Sequence, residues 1–197
     1  MKKWNWRKWR IRRIKIEEID ERLLLINLYA TQALSFCLGI VVIWLQRNND
    51  LHLWAFDRLE QAFIWGGLLA AVVIAGDLLL NRFVPEEVTD DGGMNEKIFR
   101  NRPLWHVAFI CLVVSISEEM LFRGAIQHAL GAYWTSIVFA TLHFRYLRHW
   151  LMTGMVFSVS YGLGWIYAQT GTLLTPIFAH FMIDFVMGSM IRWRREL

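Results

Sequence analysis

The sequence predicts an all-α protein, a polytopic bundle of about six transmembrane helices preceded by a basic amphipathic arm. Three observations carry that expectation. Hydrophobic residues fill 56% of the 197 positions and charged residues only 19%, whereas soluble domains carry about a quarter charged residues. The charges lie mostly outside the apolar runs, as lipid requires, because an unpaired charge at the bilayer centre is costly. Many of the 11 tryptophans track segment ends. Trp65, Trp105, Trp134 and Trp150 stand near the starts of apolar runs, and Trp44, Trp165 and Trp193 near their ends. An aromatic belt at headgroup level has that pattern.

Residues 1–22 form the arm. Lys2, Lys3, Arg7, Lys8, Arg10, Arg12, Arg13 and Lys15 alternate with Trp4, Trp9, Ile11, Ile14 and Ile19. Such a segment suits an anionic membrane surface, and membrane lipids are its expected partner. It lacks the short apolar core and small-residue cleavage site of a signal peptide. A nucleic-acid role is not expected, because the adjoining membrane segment accounts for the charge. Cys37 and Cys111 lie in apolar segments with no metal or redox spacing and read as small buried hydrophobes.

A helix needs about twenty apolar residues to span the hydrocarbon. Residues 23–102 contain two accessory spans, at about Leu23–Leu45 and Ala62–Leu80, then an acidic loop from Asn81 to Arg102. Asp77 in the second span is expected to hydrogen-bond between helices. Residues 103–197 form the expected core. Pro103 suits a first helical turn, and the third helix runs from Leu104 past Arg123, with Gly124 and Gly131 as candidate bends or ends. The fourth segment is short, Tyr133–Leu147, the fifth is Trp150–Ala168 and the sixth Leu173–Ile191. Lys and Arg in the short loops set orientation. Arg82, Lys97, Arg100, Arg102, Arg145, Arg148 and Arg192 alternate with the poorer loop at Gln46–Gln61, which places both termini in the cytoplasm. The membrane is expected to be the cytoplasmic membrane of a prokaryote.

Three clusters of ionisable residues lie within or against these segments: Glu118, Glu119 and Arg123; His143, with Phe139; and His180 with Asp184. Ionisable residues inside membrane segments are functional candidates. Glu119 and Arg123 are four apart and can pair, as can His180 and Asp184. Glu118 is turned about a hundred degrees away from Glu119 and is left to face something else. At about 1.5 Å per residue, Glu118 lies about 22 Å from the inner end of its segment. His143 lies about 15 Å, and His180 about 10 Å, below the outer ends of theirs. In a core about 30 Å thick these depths fall in one layer.

The three clusters read Glu118-Glu119-Met120-Leu121-Phe122-Arg123, Phe139-Ala140-Thr141-Leu142-His143 and His180-Phe181-Met182-Ile183-Asp184. In that order they resemble the EExxxR, FxxxH and HxxxN/D motifs of the CPBP family, the CAAX proteases and bacteriocin-processing enzymes. The resemblance covers residues 104–190, and residues 1–102 carry no motif. It implies an intramembrane endopeptidase acting on a membrane-associated or prenylated peptide or protein. By the same resemblance Glu118 and His143 activate a water, His180 and Asp184 steady the oxyanion, and Glu119, Arg123 and Phe139 support the site. Burial moves a carboxyl towards the range where a general base works well, and an imidazole N–H suits a developing negative charge. Asp184 fits less simply than Asn: ionised, it would repel an oxyanion, so it is protonated or it orients His180.

By ligand type Glu118, His143, His180 and Asp184 could also hold zinc or another divalent metal, although no HExxH helix is present. A glutamate-dependent peptidase with no obligatory cofactor is the favoured reading. Each cluster also has a structural explanation, the first as a buried ion pair fixing register and the histidines as satisfied core groups. A non-catalytic membrane partner retaining the fold, such as a bacteriocin-immunity or regulatory protein, is the alternative function. Ser115 and Ser117 belong to no recognisable serine-nucleophile constellation.

Overall fold

The computed structural model describes residues 20–46, 53–85 and 93–193. The arm expected over residues 1–22 therefore lies outside the described residues except at its end, as do the acidic positions Glu86, Glu87, Asp90 and Asp91. Helix α1 spans Glu21–Gln46. A single 3-10 turn at Phe56–Arg58 leads into α2, Leu59–Phe83. A short α3 covers Met94–Phe99 and α4 covers Leu104–Glu119. The chain stays helical through a wider π-helical stretch, Met120–Ile126, into α5, Gln127–Leu142. Helices α6 (Trp150–Thr170) and α7 (Leu174–Trp193) complete the bundle. The expected all-helical, polytopic architecture is what the chain adopts, with five helical stretches long and apolar enough to cross a membrane among the described residues.

Three boundaries differ from expectation. The loop expected from Asn81 begins later, because Asn81 donates to Asp77 one turn back and α2 continues to Phe83. Pro85 follows, and the residue before a proline is driven out of the α region; Val84 is extended. The Asp77–Asn81 bond lies within α2. The loop also contains α3, whose Ile98 is buried and whose Phe99 lies against Gly188 of α7. The third and fourth expected segments form one helical stretch. Gly124 does not interrupt it, but Gly131 does, at φ 73°, ψ 169°, a region open essentially only to glycine. The return leg, residues 132–142, is about 16 Å long. It stops at Leu142 instead of Leu147, because His143 leaves the helical region (φ −83°, ψ 49°) and residues 144–148 turn.

The bundle is ordered for a lipid solvent. Buried positions include Ser115, Glu119, Arg123, Gln127, Thr135, Ser160, Thr175 and His180, while Leu34, Leu79, Phe109, Trp105, Trp134 and Trp150 are exposed. With no hydrophobic force between helices in lipid, close packing and internal hydrogen bonds hold a bundle together. Gly39 of α1 crosses the π-helical backbone so closely that a Cβ there would lie 3.1 Å from the Leu121 nitrogen. Gly66 of α2 meets the start of α7, where a Cβ would stand 2.9 Å from the Thr175 carbonyl oxygen.

The connections gather at two ends. At one, Leu173 N–H donates to the Leu53 carbonyl at 3.0 Å, and Arg58 donates to the Thr170 carbonyl at 2.9 Å. At the other, Arg192 Nε donates to the Arg102 carbonyl, Asn101 to Glu21 and Asn95 to the Tyr146 hydroxyl. Successive segments thus run alternately up and down, the fourth as the short return leg.

Candidate active site

The π-helical stretch begins directly after Glu118 and Glu119. π-Helical turns are uncommon and often occur at functional sites. Here the stretch carries Arg123, and the Glu119 and Arg123 side chains are fully buried. Arg123 Nη1 donates to Glu119 Oε1 at 3.1 Å. Arg123 Nε also stands 3.1 Å from Glu119 Oε2, an electrostatic contact outside hydrogen-bond geometry. Arg123 Nη2 donates to the Ser160 carbonyl at 2.8 Å and lies 3.0 Å from its hydroxyl. One guanidinium therefore ties α6 to the π-helical stretch, using the planar fork that lysine lacks.

Glu119 does more than pair with Arg123. Its Oε1 lies 2.7 Å from His180 Nδ1, while His180 Nε2 lies 3.4 Å from Asp184 Oδ2. His180 thus bridges two carboxyl groups. A neutral ring has one N–H, so satisfying both contacts needs a second proton, on the ring or on one of the acids.

Phe139 joins the first motif to the second. Its ring lies under the Arg123 guanidinium, 5.3 Å away, and stacks on His143 at 4.4 Å between centroids. His143 stands at the C-terminus of α5, where its Nδ1 is 2.8 Å from the Phe139 carbonyl. A carbonyl only accepts, so Nδ1 carries the hydrogen, and in the neutral ring Nε2 is the acceptor.

Glu118 points away from Glu119, as the helical offset requires. Its Oε1 accepts from Gln32 Nε2 of α1 at 3.0 Å. Glu118, His143, His180 and Asp184 all line one cavity of about 330 Å³. The cavity extends past Val73 and Met187 to Asn95, Arg145 and Tyr146, at the end of the bundle that carries α3. Arg145 donates to the Tyr146 hydroxyl at 2.8 Å and lies over the Tyr146 ring. The sequence-level reading missed Gln32, Ser160 and Asn95. The first two lie on helices with no motif-level signal for them, and Asn95 lies in the expected loop.

His143 Nδ1 is held by the Phe139 carbonyl and His180 Nδ1 by Glu119, the second-shell pattern that also orients metal-binding histidines, and His180 Nε2 faces Asp184. Among the described residues no group of three or more His, Cys, Asp or Glu is placed to share an ion.

A buried constellation of acid and histidine lies in a bundle whose helices are long and apolar enough to cross a membrane. Residues 100–186 match the family model described as type II CAAX prenyl endopeptidase Rce1-like. The chain is also 43% identical over 147 residues to YpbD of Bacillus subtilis (strain 168), described as an uncharacterized protein, covering 74% of this chain and 77% of the relative. The chain belongs to the Rce1-like CAAX endopeptidase family, as the three motifs implied. No solved structure matches.

Proposed function

We propose that the protein is an intramembrane endopeptidase that hydrolyses a peptide bond in a membrane-associated or prenylated peptide or protein. The observation that carries the reading is the single cavity lined by Glu118, His143, His180 and Asp184. Glu118 takes a proton from a water held with His143 Nε2, and the water oxygen attacks the scissile carbonyl. The oxyanion forms beside His180, whose Nε2–H donates to it while Glu119 holds Nδ1. Preorganised donors of this kind supply a large share of catalysis in a dry site. Asp184 can assist only as the protonated acid; ionised, it orients the ring. When the C–N bond breaks, the proton on Glu118 passes to the leaving amine. No step is routed through a metal, so a chelator such as 1,10-phenanthroline is expected to leave cleavage unchanged, and abolition restored by zinc would reverse that expectation.

The test compares membrane-peptide termini in cells making the wild type and Glu118→Gln at matched levels. Termini that disappear with the variant support proteolysis and identify the substrate. Identical termini, with the variant supporting every wild-type phenotype, would instead favour a non-catalytic partner role.

A further inference from the structure

Three residues of α3, Asn95, Ile98 and Phe99, line the cavity. At spacings of three and four they share one face of the helix, so α3 lies along this end of the cavity as a wall. Its hold on the neighbouring turn runs through Asn95. There Nδ2 donates to the Tyr146 hydroxyl at 3.3 Å, and Oδ1 accepts from Arg145 Nη2 at 3.3 Å. Both distances are long for hydrogen bonds. On its other side the Phe99 ring lies against Gly188 of α7. Other walls are tied more closely. Gly66 of α2 leaves no room for a Cβ beside the Thr175 carbonyl, and Arg123 bonds Ser160 of α6 at 2.8 Å. Six residues are also too few for a helix to keep its shape unaided. Elements of this kind open at the lowest free energy.

The cavity, at about 330 Å³, is at the low end for pockets that enclose one small ligand, about 300–1,000 Å³. A polypeptide with its scissile carbonyl at Glu118 extends beyond such a space, so a wall must part to admit it. We propose that α3 is a lid, latched by Asn95 to the Arg145–Tyr146 turn, which lifts from that turn and from α7 to admit an extended peptide and then recloses. The substrate in this proposal rests on the peptidase reading above; the motion does not. The latch also reaches the reacting groups. Tyr146 N–H donates to the His143 carbonyl at 2.9 Å, and the two rings stack at 6.3 Å between centroids. Seating Asn95 therefore steadies the turn that begins at His143, so closure and the placement of His143 are coupled, as in sites completed by a closing lid.

The experiment uses the full-length protein in detergent with the exposed Cys37 replaced by Ser. Cys111 is then the one remaining thiol, lining the cavity at 1% exposure. Its rate of reaction with a charged, water-soluble methanethiosulfonate measures opening. Asn95→Ala removes both latch bonds and is expected to raise that rate about 5- to 100-fold, the range for two hydrogen bonds of ordinary strength. An unchanged rate overturns the latch. A second variant locks the lid. A Cβ on Gly188 would stand 3.2 Å from the Phe99 ring, so a Phe99→Cys, Gly188→Cys pair can be bridged by oxidation. The oxidised form is expected to label at Cys111 roughly tenfold more slowly than the reduced form, read by mass at the Cys111 peptide. Equal rates mean that α3 is a fixed wall, and overturn the lid. Cleavage of a quenched peptide copied from the Glu118-dependent site is expected to stop on oxidation and return on reduction. Continued cleavage by the oxidised form means that substrate enters elsewhere, and overturns the proposal as well. If the wild type makes no Glu118-dependent termini, the peptidase reading fails, while the labelling rates still decide whether α3 opens.

Discussion

Arg123 carries the largest fully buried side chain, and its surroundings set what its loss would do. Removing one partner of a buried ion pair strands the other, at about 3–5 kcal/mol. Arg123→Met should therefore lower thermal stability in detergent sharply and release His180 from a fixed Glu119. Ser160→Ala should cost less, since the Ser160 backbone carbonyl remains as an acceptor. Thermal unfolding of both variants checks the order. The Glu119–Arg123 pair could be read from sequence because its spacing of four is local. The contacts from Gln32 to Glu118 and from Arg123 to Ser160 could not, because they join helices whose relative rotation no periodicity reveals. The second role of Glu119, holding His180 Nδ1, was hidden for the same reason.

Individual helices were recognisable because lipid demands long apolar runs, and α1, α2, α6 and α7 fall within a few residues of the expected spans. The π-helical stretch left no trace, since widening a turn changes hydrogen-bond register but not composition. The end of α5 at Leu142 was also invisible, because Phe144 and Leu147 continue the apolar run. Both are exposed in the structure. Gly131 was a visible candidate, and its backbone now gives a sharper expectation. Gly131→Ala should cost on the order of 1–3 kcal/mol, read as a lower unfolding temperature, because the reversal into the return leg depends on that conformation. Gly39→Val should disturb the crossing of α1 over the π-helical backbone, since the nearest atoms there are main chain and cannot swing aside. Its expected outcome is loss of Glu118-dependent cleavage together with lowered stability.

Across the whole molecule, depth counting put Glu118, His143 and His180 in one layer, and the three do line one cavity. The direction of access was beyond it. Counting residues locates a group between two surfaces but does not say towards which surface space has been left. The cavity extends to Asn95, Arg145 and Tyr146, at the end that the Lys and Arg of the short loops assign to the cytoplasm. The proposed substrate would then enter from the side on which those Lys and Arg lie. A single cysteine placed at Asn95 in a cysteine-free background should be labelled by a membrane-impermeant thiol reagent in inside-out vesicles and spared in intact cells. The reverse pattern would invert the assigned orientation.

Helix α1 lies mostly against lipid, and its two buried residues are Gln32 and Gly39. One touches Glu118 and the other seats the helix on the stretch that carries Arg123. The smallest fragment containing all three motifs would consequently be a poor miniature of the protein, with Glu118 unheld. In a graft between relatives, α1 and the motif-bearing helices would have to travel as one piece. A recipient keeping its own first helix would inherit the three motifs without the helix that seats against them.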